Sequence, residues 1–214
     1  MLAFGHTGIT LGIAVLLAGL TTTSRFSRNR KARVDTLRSP SPQAAETNYS
    51  ETRKVSWVES LTDYADLRLL LVGSLLPDII DKPVGQLLFR ETFSSGRIFS
   101  HTLIFLALIT IVGLYLYRRR RQTWLLALSF GTFTHLVLDQ MWRAPHTLLW
   151  PAYGLAFARA DLTNWVPNMF HALLTDPQVY LPELAGAAIL IWFAQSLVRR
   201  RRVFAFLKCG KVSQ

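Results

Sequence analysis

Cysteine is almost missing from this chain: Cys209, near the end of its 214 residues, is the only one. A single thiol excludes an internal disulfide framework and a zinc site built from thiolates. Any bound metal would therefore have to be held by imidazole and carboxylate. Acidic side chains are scarce as well, 13 against 24 Lys and Arg, which leaves a net charge of +11. The chain has no glycine-rich phosphate loop and no Ser, His and Asp spacing that calls for nucleophilic catalysis. Its first apolar stretch has no basic residues in front of it. The arginines follow instead, the wrong order for a secretory signal peptide and the right one for a retained helix with its N-terminus outside.

What the chain does have is hydrophobicity. Half of it is apolar, and mean hydropathy is +0.26, high for a soluble protein of this size. A helix rises about 1.5 Å per residue and the hydrocarbon core is about 30 Å thick, so roughly twenty residues are needed to cross. Segments 2–20, 98–117, 123–142 and 181–198 come close to that length. Segment 69–80 is shorter and contains Pro77, so it reads as a short span or as a re-entrant piece buried among the others. The expected fold is all-α: a single membrane-embedded domain over 1–214, a multi-pass transmembrane helical bundle of about five spans.

Charge sets the expected orientation, because basic residues near span ends stay cytoplasmic. With the N-terminus outside and five crossings, nineteen Lys and Arg fall inside and only five (Lys82, Arg90, Arg97, Arg143 and Arg159) outside. The C-terminus is then cytoplasmic. Loop 21–64, rich in Ser, Thr, Pro and Arg, reads as a disordered, basic cytoplasmic loop. It is chiefly a topology signal and solvated linker, able to touch anionic lipid headgroups, with nucleic acid the less expected partner. Residues 143–183 form an extracytoplasmic loop. Within it, residues 164–174 carry Trp165, Val166, Met169, Phe170 and Leu173 at helical spacing, as in a helix lying in the interface.

Ligand-type side chains gather at the outer ends of these segments. His6 opens the first, Asp78 and Asp81 close the second, His101 opens the third, and His135 with Asp139 ends the fourth. Such groups are costly in or near hydrocarbon and mark function when they cluster there. Asp78 and Asp81 are three apart and His135 and Asp139 four apart, so each pair shares a helix face. Taken singly, His135 reads as an interhelical hydrogen-bonding residue and Asp139 as a helix-end carboxylate. The six together read as a metal site. Three imidazoles and three carboxylates exceed one tetrahedral zinc and suit one octahedral ion or two bridged ions. Zinc is the first expectation, with manganese or iron as alternatives. Such an ion lowers the pKa of its water toward about 7. Asp81 or Asp139 is available as a general base instead. Arg97, one turn before His101, would pair with an anionic group such as a phosphate, or anchor the chain at the interface. These three are the expected catalytic residues. His146 and His171 read as loop and interfacial residues, and Ser100 and Thr102 as capping or packing residues.

His6 in an N-terminal apolar segment, Gly73-Ser-Leu-Leu-Pro-Asp78-Ile-Ile-Asp81, Arg97, His101-Thr102, His135-Leu-Val-Leu-Asp139 and Leu148-Leu-Trp-Pro151 follow in that order. Together they resemble the membrane-bound metal-dependent hydrolases of the inner membrane, a family distantly similar to zinc-dependent phospholipase C and related nucleases. The resemblance implies that His6, Asp78, Asp81, His101, His135 and Asp139 are metal ligands. The chain departs from the family pattern in Gln140-Met-Trp-Arg-Ala-Pro-His146, where Thr and Gly are usual, and in the length of its basic loop. The expected function is metal-dependent hydrolysis of a phosphoester or lipid-headgroup-like substrate on the extracytoplasmic face, with membrane lipids as partners. A metal or proton transporter and a non-catalytic anchor acting through the basic loop are the competing expectations.

Overall fold

The computed structural model describes residues 2–18, 66–157 and 164–210, and among these every regular element is helical. The basic loop 21–64 and Arg159 lie outside the described residues. The helices are α1 (Ala3–Ala18), α2 (Leu67–Lys82), α3 (Leu103–Arg120), α4 (Trp124–Leu138), α5 (Pro145–Leu148), α6 (Trp165–Thr175), α7 (Pro177–Arg199) and α8 (Val203–Cys209). Helices α1, α2, α3, α4 and α7 correspond to the five apolar segments. One of them, Pro177–Arg199, is long and apolar enough to cross a membrane on length and composition alone. Ala3–Ala18 and Trp124–Leu138 are apolar but shorter.

Pro77 does not interrupt α2, which runs through it for 16 residues. A proline in a helix leaves the carbonyl four residues back without its N–H donor. Here that carbonyl, on Gly73, accepts from Thr132 Oγ1 at 3.3 Å on the neighbouring helix, so the interruption is repaired from outside. Asp66 caps the start of α2 by accepting from Arg68 N at 3.0 Å. Thr102 does the same for α3, accepting from Phe105 N at 3.1 Å. Left-handed residues stop α3 at Arg121 (φ 55°) and break the chain out of α4 at Gln140 (φ 52°).

Polarity is inverted relative to a water-soluble fold. On α3 the side chains of Ile104, Leu108, Ile111 and Tyr115 are exposed, and Gly113 is its one buried residue. Buried positions instead include His6, Thr10, Ser74, Asp81, His101, Thr132, Thr134, His135 and Glu183. Beside an apolar core around Leu11, Leu67, Leu70 and Phe193, part of the interior is thus polar while the α3 surface is apolar, the pattern expected where hydrocarbon is the solvent. Helix contacts follow the same logic, with small residues letting backbones approach and hydroxyls bonding across. Helices α2 and α4 cross at Gly73 and Gly131; a Cβ on Gly73 would lie 2.6 Å from Leu128 O, and one on Gly131 would lie 2.6 Å from Leu70 O. Helices α1 and α7 cross at Gly8 and Gly186, where either Cβ would run into the facing backbone. Thr10 and Thr134 join α1 to α4 at 2.8 Å, and Thr110 and Ser129 join α3 to α4 at 2.6 Å.

Candidate metal centre

The crossings bring the N-terminal end of α1 and the C-terminal ends of α2 and α4 together, and the turn that precedes α3 closes the group. After α2 the chain makes a π-helical turn (Pro83–Leu88), then returns through a 3-10 turn (Phe99–His101). That return lays backbone N–H groups over the end of α2, where Asp81 receives them. Its Oδ2 accepts from Ile98 N at 2.7 Å and its Oδ1 from Ser100 N at 3.0 Å. His101 Nδ1 also lies 2.7 Å from Asp81 Oδ2. Since that carboxylate oxygen accepts, His101 carries a proton on Nδ1 and turns Nε2 into the interior.

His135 is arranged in the same way. Its Nδ1 donates to the Ser74 carbonyl at 2.7 Å, which leaves Nε2 as an acceptor. The two acceptor atoms, Nε2 of His101 and Nε2 of His135, then face each other at 3.3 Å with both side chains fully buried. Two unprotonated nitrogens that close repel, so the contact calls for a shared proton or a metal ion between them. Asp78 Oδ1 is 3.7 Å from one and 3.9 Å from the other. His6 stacks on His135 with ring centroids 4.1 Å apart and brings its Nε2 to 3.1 Å from Asp139 Oδ1. On the other side of the ring, His6 Nδ1 has no hydrogen-bond partner among the described residues.

Two overlapping donor groups result. His6, Asp78 and His135 offer atoms within 4.8 Å of one another, and so do His101, His135 and Asp139. His135 belongs to both. The donor set of imidazole nitrogen and carboxylate oxygen fits a divalent cation such as zinc. Asp81 stands apart from both groups. Both its oxygens are taken by the 98–101 turn, and it meets His101 from behind, as an orienting carboxylate does.

Two cations sit at the edge of the cluster. Arg97 Nη2 lies 2.7 Å from Asp139 Oδ2, and Lys82 Nζ lies 2.7 Å from Asp78 Oδ2. Each carboxylate thus turns one oxygen inward and gives the other to a half-exposed cation. Lys82 was not anticipated as a site residue, although its position four residues after Asp78 on one helix was a usable signal. Glu183, a buried acid on an apolar helix, was missed too. His146 is exposed against Tyr153, and His171 is exposed beside Thr175, both apart from the two donor groups. Ser100 bonds the Pro77 carbonyl at 2.9 Å and, with the capping Thr102, serves packing, as expected. On α6, Val166, Phe170 and Leu174 make one exposed apolar face.

No curated protein and no solved structure matches this chain. A family model matches over residues 1–204, and its description accords with the apolar surfaces of these helices: the chain belongs to the YdjM inner membrane protein family.

Proposed function

We propose that this protein is a five-span inner-membrane enzyme that hydrolyses a phosphoester, a phospholipid headgroup in the first instance, at a divalent-metal centre on the extracytoplasmic face. The observation that carries the reading is the pair of buried imidazole Nε2 atoms facing each other at 3.3 Å, with Asp78 and Asp139 beside them. Zinc suits the donors best, with manganese or iron next. His6, Asp78, His101, His135 and Asp139 would hold one ion or two. Asp81 would orient His101 instead of ligating, because its oxygens are already committed.

When bound, such a cation lowers the pKa of water and polarises a phosphoryl oxygen. The rest falls to the chain's own residues. Arg97, with 48% of its side chain exposed, would donate to phosphate oxygens while keeping Asp139 in place. Lys82 would add a second positive charge at the rim. If one ion is held, the carboxylate left over, Asp78 or Asp139, is placed to accept a proton from the attacking water. Burial of the cluster excludes bulk water and strengthens each of these interactions. The excess of Lys and Arg on loops 21–68, 118–121 and 199–211 supports an outside N-terminus, and with it the cluster and α6 would lie at the outer interface.

Elemental mass spectrometry on detergent-purified protein, beside a His135→Ala/Asp139→Ala double variant, tests the centre. One or two equivalents of zinc or manganese, lost in the variant, are expected. Phospholipid hydrolysis by single ligand-to-alanine variants tests the activity, and rates equal to the parent's would end the hydrolase reading.

A further inference from the structure

His6 is held differently from the other two histidines of the cluster. His101 is fixed by Asp81 and His135 by the Ser74 carbonyl, each through Nδ1. His6 has no such anchor through Nδ1 among the described residues; its ring only meets Asp139 at 3.1 Å and stacks on His135, two other members of the cluster. With no backbone group holding the ring, its place also depends on where the start of α1 sits. That start is gripped by one side chain from a distant helix: Glu183 on α7, only 6% exposed. Its Oε1 accepts from Leu2 N at 2.5 Å and its Oε2 from Gly5 N at 3.1 Å. The first N–H groups of a helix have no partner within it, and an outside carboxyl group satisfies them and meets the positive end of the helix dipole. Gly5 allows the approach, since a Cβ there would lie 2.7 Å from Glu183 Oε1. One turn on, Gly8 and Gly186 continue the contact between the same two helices. Gly5 and Gly8 thus face α7 while His6 and Thr10 face α4.

We infer that Glu183 is the positioning residue for His6: by capping α1 from α7 it seats the His6 imidazole against His135 and Asp139. An acid at this place in an apolar helix is costly, and seating a metal ligand gives it a purpose. The inference rests on the metal-centre reading.

The test is a double-variant cycle on full-length protein in detergent, with zinc affinity read by chelator competition and hydrogen exchange followed at residues 2–8. Glu183→Gln keeps the size but replaces one acceptor with an N–H donor. It is expected to weaken zinc binding about tenfold, in the range for outer-shell partners, and to speed exchange at 2–8. In a His6→Ala background the same change should cost less than twofold. Gly5→Ala, which displaces the carboxyl group from the other side, should reproduce the effect if Glu183→Gln does not fold. Equal losses in both backgrounds, or parent-like affinity, would overturn the inference. A parent protein that takes up no zinc would sink the metal centre, and with it the positioning of a ligand. Exchange at 2–8 would then still show whether Glu183 clamps α1.

Discussion

Asp81 holds His101 from behind: Oδ2 is 2.7 Å from Nδ1, and both carboxyl oxygens also receive backbone N–H groups of the 98–101 turn. Asp81→Asn would leave one acceptor where two are used and set an N–H₂ donor against either the His101 ring or the backbone N–H groups of the turn. Zinc affinity should fall about 10- to 100-fold, the usual range for an outer-shell partner. Chelator competition against the parent measures it, and unchanged affinity would return Asp81 to a purely structural role.

Arg97→Lys keeps the charge but gives up the planar guanidinium that can serve Asp139 and a phosphate together. If phosphoester hydrolysis is the activity, a charge-assisted hydrogen bond worth about 1.5–3 kcal/mol is at stake. That predicts a loss of kcat/KM of roughly ten- to a hundredfold. Steady-state kinetics on one lipid substrate would show it.

Lys82→Ala removes a half-exposed ion pair with Asp78, the kind worth about 0.2–1 kcal/mol. Stability should barely change. Binding of inorganic phosphate, followed by calorimetry in detergent, should weaken by about two- to fivefold if the rim reads anions.

Gly73→Ala would put a methyl group 2.6 Å from the Leu128 carbonyl oxygen, a backbone atom that cannot yield. Overpacking of this kind costs about 1–3 kcal/mol, and the melting temperature should drop by several degrees. Gly12→Ala is the control, because its nearest neighbour is the Cδ1 tip of the Ile189 side chain at 3.1 Å. A similar loss for both would discount the backbone crossing as the reason for glycine.

A fluorescent protein fused after Gln214 should fold and fluoresce, since nineteen of the 24 Lys and Arg then lie on the cytoplasmic side. Alkaline phosphatase fused at the same point should be inactive. The reverse result would invert the topology and move the cluster to the cytoplasmic face.

The sequence by itself determined the helices and the candidates for the site. Apolar runs of near-spanning length have few options besides helix, and His135 four residues before Asp139 must share its face whatever surrounds them. Ligand-type residues at segment ends were conspicuous for the same reason: hydrocarbon makes them costly, so they stand out. Tertiary structure decided which of them face one another. Asp78 and Asp81 look equivalent on a helix, and only the return of residues 98–101 over the end of α2 commits Asp81 to backbone N–H groups and leaves Asp78 Oδ1 free to face the imidazoles. The continuity of α2 through Pro77 rests on Thr132, which is 59 positions away from the Gly73 carbonyl it repairs. Glu183 reaches Leu2 across 181 positions. Helical periodicity reports on neighbours three and four residues apart, whereas these contacts come from how helices cross, which is set by where glycine lets two backbones meet.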